Sequence, residues 1–187
     1  KGRMVVYTQG RAKNDYHEYR GLYRDSLDQV PVAILINQYS ASASEIVAGA
    51  LRDSGKALII GENSYGKGSV QTIFRLSGGS GLRLTTSKYY TPSGIDITEH
   101  GIVPEIHIIN DVAGEEVQEL DKTDSSQSSL NLKESHLNKF FEKQGITLTA
   151  DHDSTIELAL RILKNTTVAS KKRSMEKARE IAANINY

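Results

Sequence analysis

Two short, unbroken apolar runs constrain the fold more than any other feature. Val32-Ala33-Ile34-Leu35-Ile36 follows Pro31, and Ala57-Leu58-Ile59-Ile60-Gly61 follows Gly55-Lys56. Runs of this length without polar alternation suit strands buried on both faces, as in a parallel sheet covered by helices. Between them Ile46, Val47, Ala50 and Leu51 recur at helical spacing, and Gly55 is placed to end that helix. The segment reads as a β–α–β unit with a right-handed crossover, and the fold class is α/β.

Elements of other kinds surround this unit. Residues 4–8 (MVVYT) read as a strand, and the polar stretch 9–30, with Tyr16, Tyr19 and Tyr23, as a loop or hairpin. Residues 69–76 and 82–90 alternate like strands around Ser77-Gly78-Gly79-Ser80-Gly81, a hairpin turn. Thr91-Pro92-Ser93-Gly94 is turn chemistry. A last short strand is expected within 102–109, with Pro104 placing it at an edge or a bend.

Composition shifts near residue 110, which suggests three parts. Residues 1–110 form the core, and residues 111–129, acidic and serine-rich, a linker. Residues 130–187 form a helical region. Leu137, Phe140 and Phe141 mark one short helix there. Asp153-Ser154 caps a second that carries Ile156, Ala159, Leu160 and Leu163 on one face, and residues 168–185 make a third, basic one. The apolar faces of these helices either pack on the core or join two copies as a homo-oligomer. The chain opens on Lys1-Gly2-Arg3, close to a core strand, so an N-terminal part is expected to precede it.

Bulk properties exclude several functions. The 187 residues carry 23 basic and 23 acidic side chains, so net charge argues for neither nucleic acid nor a membrane surface as partner. Without cysteine there is no thiol catalysis, thiolate metal site or disulfide, and the composition suits an oxidising compartment. No histidine–carboxylate spacing suggests a metal, and no cofactor is expected. The longest apolar runs fall far short of the ~20 residues of a membrane helix.

The chemistry concentrates at two places. Ser40-Ala41-Ser42-Ala43-Ser44-Glu45 lies where a strand turns into a helix, and helix N-terminal N–H groups can hold an oxyanion. The same residues fit helix capping, with Ser42 and Glu45 as a capping box. Gly66-Lys67-Gly68-Ser69 follows the second buried strand. Gly61 meets the spacing of a phosphate loop, but strand-like alternation follows instead of a helix. A lysine becomes a general base only where its pKa falls well below ~10.4, which an apolar pocket brings about. The strands beside Lys67 are apolar enough to supply one. Ser40 and Ser44 are the rivals of Ser42 as nucleophile, and a Ser–His–Asp triad through His100 lacks any motif.

Together these segments resemble the carboxyl-terminal processing (tail-specific) proteases. The match runs from Pro31 to Gln71, through Ser40-Ala41-Ser42-Ala43-Ser44-Glu45-Ile46, Ala48-Gly49-Ala50-Leu51, Gly61 and Tyr65-Gly66-Lys67-Gly68-Ser69-Val70-Gln71. It includes Tyr90-Thr91-Pro92-Ser93-Gly94 and Gly101-Ile102-Val103-Pro104-Glu105-Ile106, and fades after about residue 110. The resemblance implies a Clp-protease/crotonase-like core and peptide hydrolysis through an acyl-enzyme. Ser42 is then the nucleophile, Lys67, 25 positions later, the base, and Gln71 the residue that orients the lysine. The N–H of Ala43 is an oxyanion donor, and Glu45 supports the site or only caps the helix.

By the same resemblance the substrates are proteins with exposed C-terminal tails and the setting is extracytoplasmic, most simply the bacterial periplasm. The family's upstream glycine-rich segment, source of a second oxyanion donor, and its PDZ-type domain lie outside this sequence. The chain alone is therefore expected to be weakly active or inactive. A non-catalytic ligand-binding module on the same fold is the alternative, and acyl-CoA chemistry on a crotonase core a third reading.

Overall fold

The computed structural model of the protein describes residues 2–22, 30–109, 130–143, 153–166 and 171–185. Strands β1 (Met4–Gly10) and β2 (Tyr16–Arg20) form a hairpin; β3 (Val32–Ile36), α1 (Ala43–Asp53) and β4 (Ala57–Gly61) follow. A second hairpin, β5 (Ser69–Arg75) and β6 (Gly81–Tyr90), leads through one helical turn, α2 (Ile97–His100), to β7 (Ile106–Ile109). Then come β8 (Leu130–Lys133), α3 (Glu134–Lys143), α4 (Ser154–Lys164) and α5 (Lys171–Ile185).

These strands make two four-stranded sheets. One is parallel, in the order β3-β4-β7-β8, and the other antiparallel, in the order β2-β1-β6-β5. The expected β–α–β unit is present: β3 and β4 run parallel side by side, with Ile34 opposite Ile59. Every residue of β4 is buried because both its faces are covered. Ala57 and Ile59 point to one side and meet Ile36, Ala48, Ile97 and Ile102. Leu58 and Ile60 point to the other and meet Ile106, Ile108, Leu137, Phe141, Leu158 and Ile162. This is the period-2 alternation of a strand, and each such side chain contributes about 1.5–3 kcal/mol by leaving water.

Four expectations need correction. First, β3 is not buried on both faces; among the described residues it pairs only with β4, and Leu35 is 40% exposed. Second, of the two places expected for Pro104, an edge or a bend, only the bend holds: β7 lies between β4 and β8, and the chain bends at Glu105 just before it. Pro104 is buried just before that strand, so its missing N–H interrupts no ladder. Third, the region after residue 130 opens with a strand, β8, too short for its alternation to stand out. Fourth, α4 buries Leu158, Ala159 and Ile162, while Ile156 and Leu160 are exposed. Both apolar sets have helical spacing, and the packing of α4 over the parallel sheet selects the one centred on Leu158 and Ile162.

Other expectations hold. Asp153 caps α4, its Oδ1 accepting N–H bonds from Thr155 (2.6 Å) and Ile156 (3.4 Å). Gly55 ends α1 with φ +69°; its N–H goes to the Arg52 carbonyl (3.0 Å) and that of Lys56 to the Leu51 carbonyl (2.9 Å). This paired pattern closes the helix, and a left-handed residue makes it, which favours glycine. The proposed linker 111–129 and residues 168–170 of the third helix lie outside the described residues. No helix among those described is long and apolar enough to cross a membrane.

Candidate active site

The strand β3 ends in a tight turn that launches α1. Ser40 donates its N–H to the Asn37 carbonyl (2.8 Å), and its Oγ accepts the Asn37 N–H (3.1 Å). Ser40 is thus a turn residue. Ser44 lies exposed in the first turn of α1, its N–H directed at the Ala41 carbonyl (3.3 Å). Ser42 stands between them at the helix N-cap with φ 59° and ψ −113°. Among the described residues it is the one non-glycine with positive φ. Such a conformation costs about 1–3 kcal/mol and persists where surrounding structure holds it, often at a reactive residue on a strand-to-helix turn.

What holds Ser42 is Glu45. One turn into α1, this side chain is fully buried, with 0% exposure. Its Oε2 accepts the N–H of Ser42 (2.8 Å) and the N–H of Lys67 (2.9 Å). Its Oε1 accepts the Ser64 hydroxyl (2.5 Å) and the N–H of Gly66 (2.7 Å). The carboxylate therefore caps the helix, as its spacing suggests, and also stitches the serine turn to the lysine loop.

The lysine loop, residues 62–68, is held on its other side too. Tyr65 donates its N–H to the Ser40 carbonyl (2.9 Å). Ser64 Oγ accepts the Ile102 N–H (2.6 Å), and the Ser64 N–H goes to the Ile102 carbonyl (3.1 Å). The glycines flanking Lys67 have separate causes. Gly66 has φ +86°, and a Cβ on Gly68 would lie 2.6 Å from the Thr98 nitrogen. Sequence reasoning missed Ser64: it lies three positions before Lys67 in an irregular loop, and its partner Glu45 is 19 residues away.

The remaining predicted residues fall as follows. Lys67 and Ser42 both have exposed side chains, as has Gln71 on β5. The apolar pocket expected around Lys67 is not formed by the described residues, because β5 from Gln71 onward and β6 up to Thr86 are themselves exposed. Among those residues Gln71 makes no hydrogen bond to Lys67. The N–H of Ala43 is the first amide of α1 left without a described partner: those of Glu45 and Ile46 go to the Ser42 carbonyl (3.0 and 3.1 Å). A cleft of about 670 Å³, bordered by Leu35, Asn37, Ser40 and Glu62, opens beside the turn and includes none of Ser42, Lys67 and Gln71. No three described His, Asp or Glu side chains group to hold a metal ion.

The later motifs serve as supports. Asp53, at the far end of α1, pairs with Arg52 (3.0 Å) and accepts the Ser93 N–H (2.9 Å). Burial works to raise its pKa, but hydrogen bonds from Ser93 and Thr91 and the Arg52 charge together hold it below the usual range. Glu105 accepts the Ile59 N–H (2.8 Å) within the parallel sheet. On β7, burial pushes the His107 pKa down, against a smaller upward pull from Glu62.

The chain is similar in sequence to known proteases. The chain is 54% identical over 102 residues to a carboxy-terminal-processing protease of Bartonella bacilliformis, covering 54% of this chain and 24% of that protein. It is 40% identical over 108 residues to the chloroplastic C-terminal processing peptidase of Tetradesmus obliquus, covering 58% and 23%. A solved structure described as the photosystem II D1 C-terminal processing protease matches with 40% identity and a TM-score of 0.47, over 57% of this chain and 27% of that one. The chain spans about a quarter of the length of these curated relatives. The mixed α/β architecture, with its β–α–β unit and C-terminal helices, agrees with the expected α/β class. The model of peptidase family S41 matches residues 1–108, more than half of the chain, and the chain belongs to that family.

Proposed function

We propose that the chain carries the reactive Ser–Lys pair of a carboxyl-terminal processing peptidase, with Ser42 as nucleophile and Lys67 as general base. The observation that carries this reading is the strained Ser42 at the head of α1, tied through one buried carboxylate to the backbone of Lys67. A capping serine needs neither the positive φ nor the link.

The chemistry runs in two halves. Neutral Lys67 takes the Ser42 hydroxyl proton as Oγ bonds to the scissile carbonyl carbon. The oxyanion that forms accepts the Ala43 N–H, at the positive end of α1. The C–N bond then breaks, the lysine ammonium returns its proton to the leaving amine, and an acyl-Ser42 ester remains. Water, losing a proton to Lys67, attacks the ester; the acid product leaves and Ser42 regains its proton. Gln71 orients the lysine once substrate or the rest of a longer protein covers this exposed face. That covering also supplies the desolvation a lysine base requires.

Substrates of this reading are unfolded protein tails. The bacterial and chloroplastic origin of the relatives and the absence of cysteine support an extracytoplasmic setting. The test is a fluorophosphonate probe on the full-length protein, followed by peptide mapping. Labelling at Ser42 that is lost in Lys67→Ala supports the pair. No labelling of the well-folded protein overturns it in favour of a binding module.

A further inference from the structure

We propose that Glu45 is a positioning residue for the Ser42–Lys67 pair, its carboxylate fixing the separation of nucleophile and base by bonding the backbone of both. The inference rests on the Ser–Lys reading above.

A capping box asks one bond of its acidic residue, back to the N-cap N–H, and glutamine serves there as well as glutamate. Glu45 makes that bond and three more, all to residues 64–67, at distances of 2.5–2.9 Å. All four partners donate, so the group acts purely as an acceptor, the pattern of a carboxylate. A carboxylate buried at 0% exposure is tolerable only when its lone pairs are filled in this way. Because Ser64 also accepts the Ile102 N–H, the clamp is anchored in the segment leading to β7.

Two consequences for the chemistry follow. The Ser42 amide is consumed by Glu45, which among the described residues leaves the neighbouring Ala43 amide as the one available to an oxyanion. The Lys67 backbone cannot move without lengthening its 2.9 Å bond to the same oxygen that holds Ser42. Glutamine breaks this pattern. Its NH₂ meets two N–H donors if placed at Oε2, or leaves the Gly66 N–H unsatisfied if placed at Oε1, where Ser64 Oγ alone can accept from it.

The test uses the full-length protein, with Glu45→Gln and Ser64→Ala read against Lys67→Ala. Readouts are the rate of fluorophosphonate labelling at Ser42, kcat and KM on an unfolded-tail peptide, and thermal melting. Glu45→Gln is expected to lower kcat and the labelling rate about 10–100-fold, as misplaced reacting groups do. KM should stay within about twofold, since substrate contacts are untouched. Ser64→Ala, which removes one donor and keeps the three amides, should cost about 3–10-fold, the worth of one hydrogen bond. A merely structural role would lower the melting temperature and leave the rate per folded molecule unchanged. Wild-type labelling in Glu45→Gln, with Lys67→Ala dead, overturns the positioning role and keeps the Ser–Lys pair. Wild-type labelling in Lys67→Ala overturns the pair itself. Should Glu45→Gln fail to fold, Ser64→Ala decides: a folded variant with wild-type rate overturns the proposal.

Discussion

Gly61 closes β4 and opens the loop that bears Lys67, and its replacement by alanine has a cost that can be worked out in advance. Its φ is +124°, and a Cβ built there would sit 2.0 Å from the Ile36 carbonyl oxygen. That oxygen already accepts the Glu62 N–H at 3.0 Å. Backbone cannot swing aside like the tip of a lysine, so β3 and β4 must separate at their ends. The forbidden dihedral contributes about 1–3 kcal/mol, and overpacking about 1–3 kcal/mol more. The sum is about 2–6 kcal/mol, which at a urea slope near 2 kcal/mol/M lowers the denaturation midpoint by about 1–3 M. Gly78→Ala in the β5–β6 turn is the control. Its φ is +76°, but nothing lies within 4 Å of the added atom, so only dihedral strain of about 1–2 kcal/mol applies. Urea melts followed by circular dichroism compare the two. Equal midpoints for both variants would refute the close approach of Gly61 to the Ile36 carbonyl.

Other outcomes follow from the same geometry. Ser42→Gly should be more stable than Ser42→Ala by about 1 kcal/mol in thermal melts, because glycine relieves the positive φ and alanine does not; equal stability would mean that Ser42 is unstrained. Burial holds the His107 pKa below its unfolded value, so the unfolded chain takes the proton first as pH falls. Its stability contribution is therefore intact above about pH 6.5 and lost progressively below it; the urea midpoint of the wild type should drop between pH 7.5 and 5.5 more than that of His107→Gln. Phe141→Ala, at a site with 0% exposure, should cost about 3–5 kcal/mol; it also removes the ring that faces the Arg161 guanidinium at 5.1 Å, and a loss below about 1 kcal/mol would deny that α3 packs on the sheet.

The local patterns of the sequence carried much of this architecture. Unbroken apolar runs locate β3 and β4 because strands near a covered sheet need no polar alternation, and Gly55 and Asp153 mark helix ends through chemistry confined to a few residues. Ser42 and Lys67 stand at local signals, the strand-to-helix junction and the glycine pair, but their roles and that of Ala43 come from the family resemblance. The exposure of Leu35 and the central place of β7 depend on which strands become neighbours, and a strand's own residues do not encode that. Ser64 stayed hidden for the same reason: its partners, Glu45 and Ile102, are 19 and 38 residues away. The face of α4 was misassigned because two apolar stripes fit one helix, and only the opposing surface chooses between them.

The divided loyalty of β4 has a bearing on how this protein can be cut and recombined. The family match ends at residue 108, yet half of β4's side chains lie against material encoded after residue 130. A gene fragment stopped at the family boundary would leave Leu58, Ile60, Ile106 and Ile108 as one greasy stripe open to water. Such a fragment should be recovered from inclusion bodies, whereas one extended through Ile185 keeps the stripe covered. The stretch that matches the family and the stretch that an expression vector must carry do not share a border.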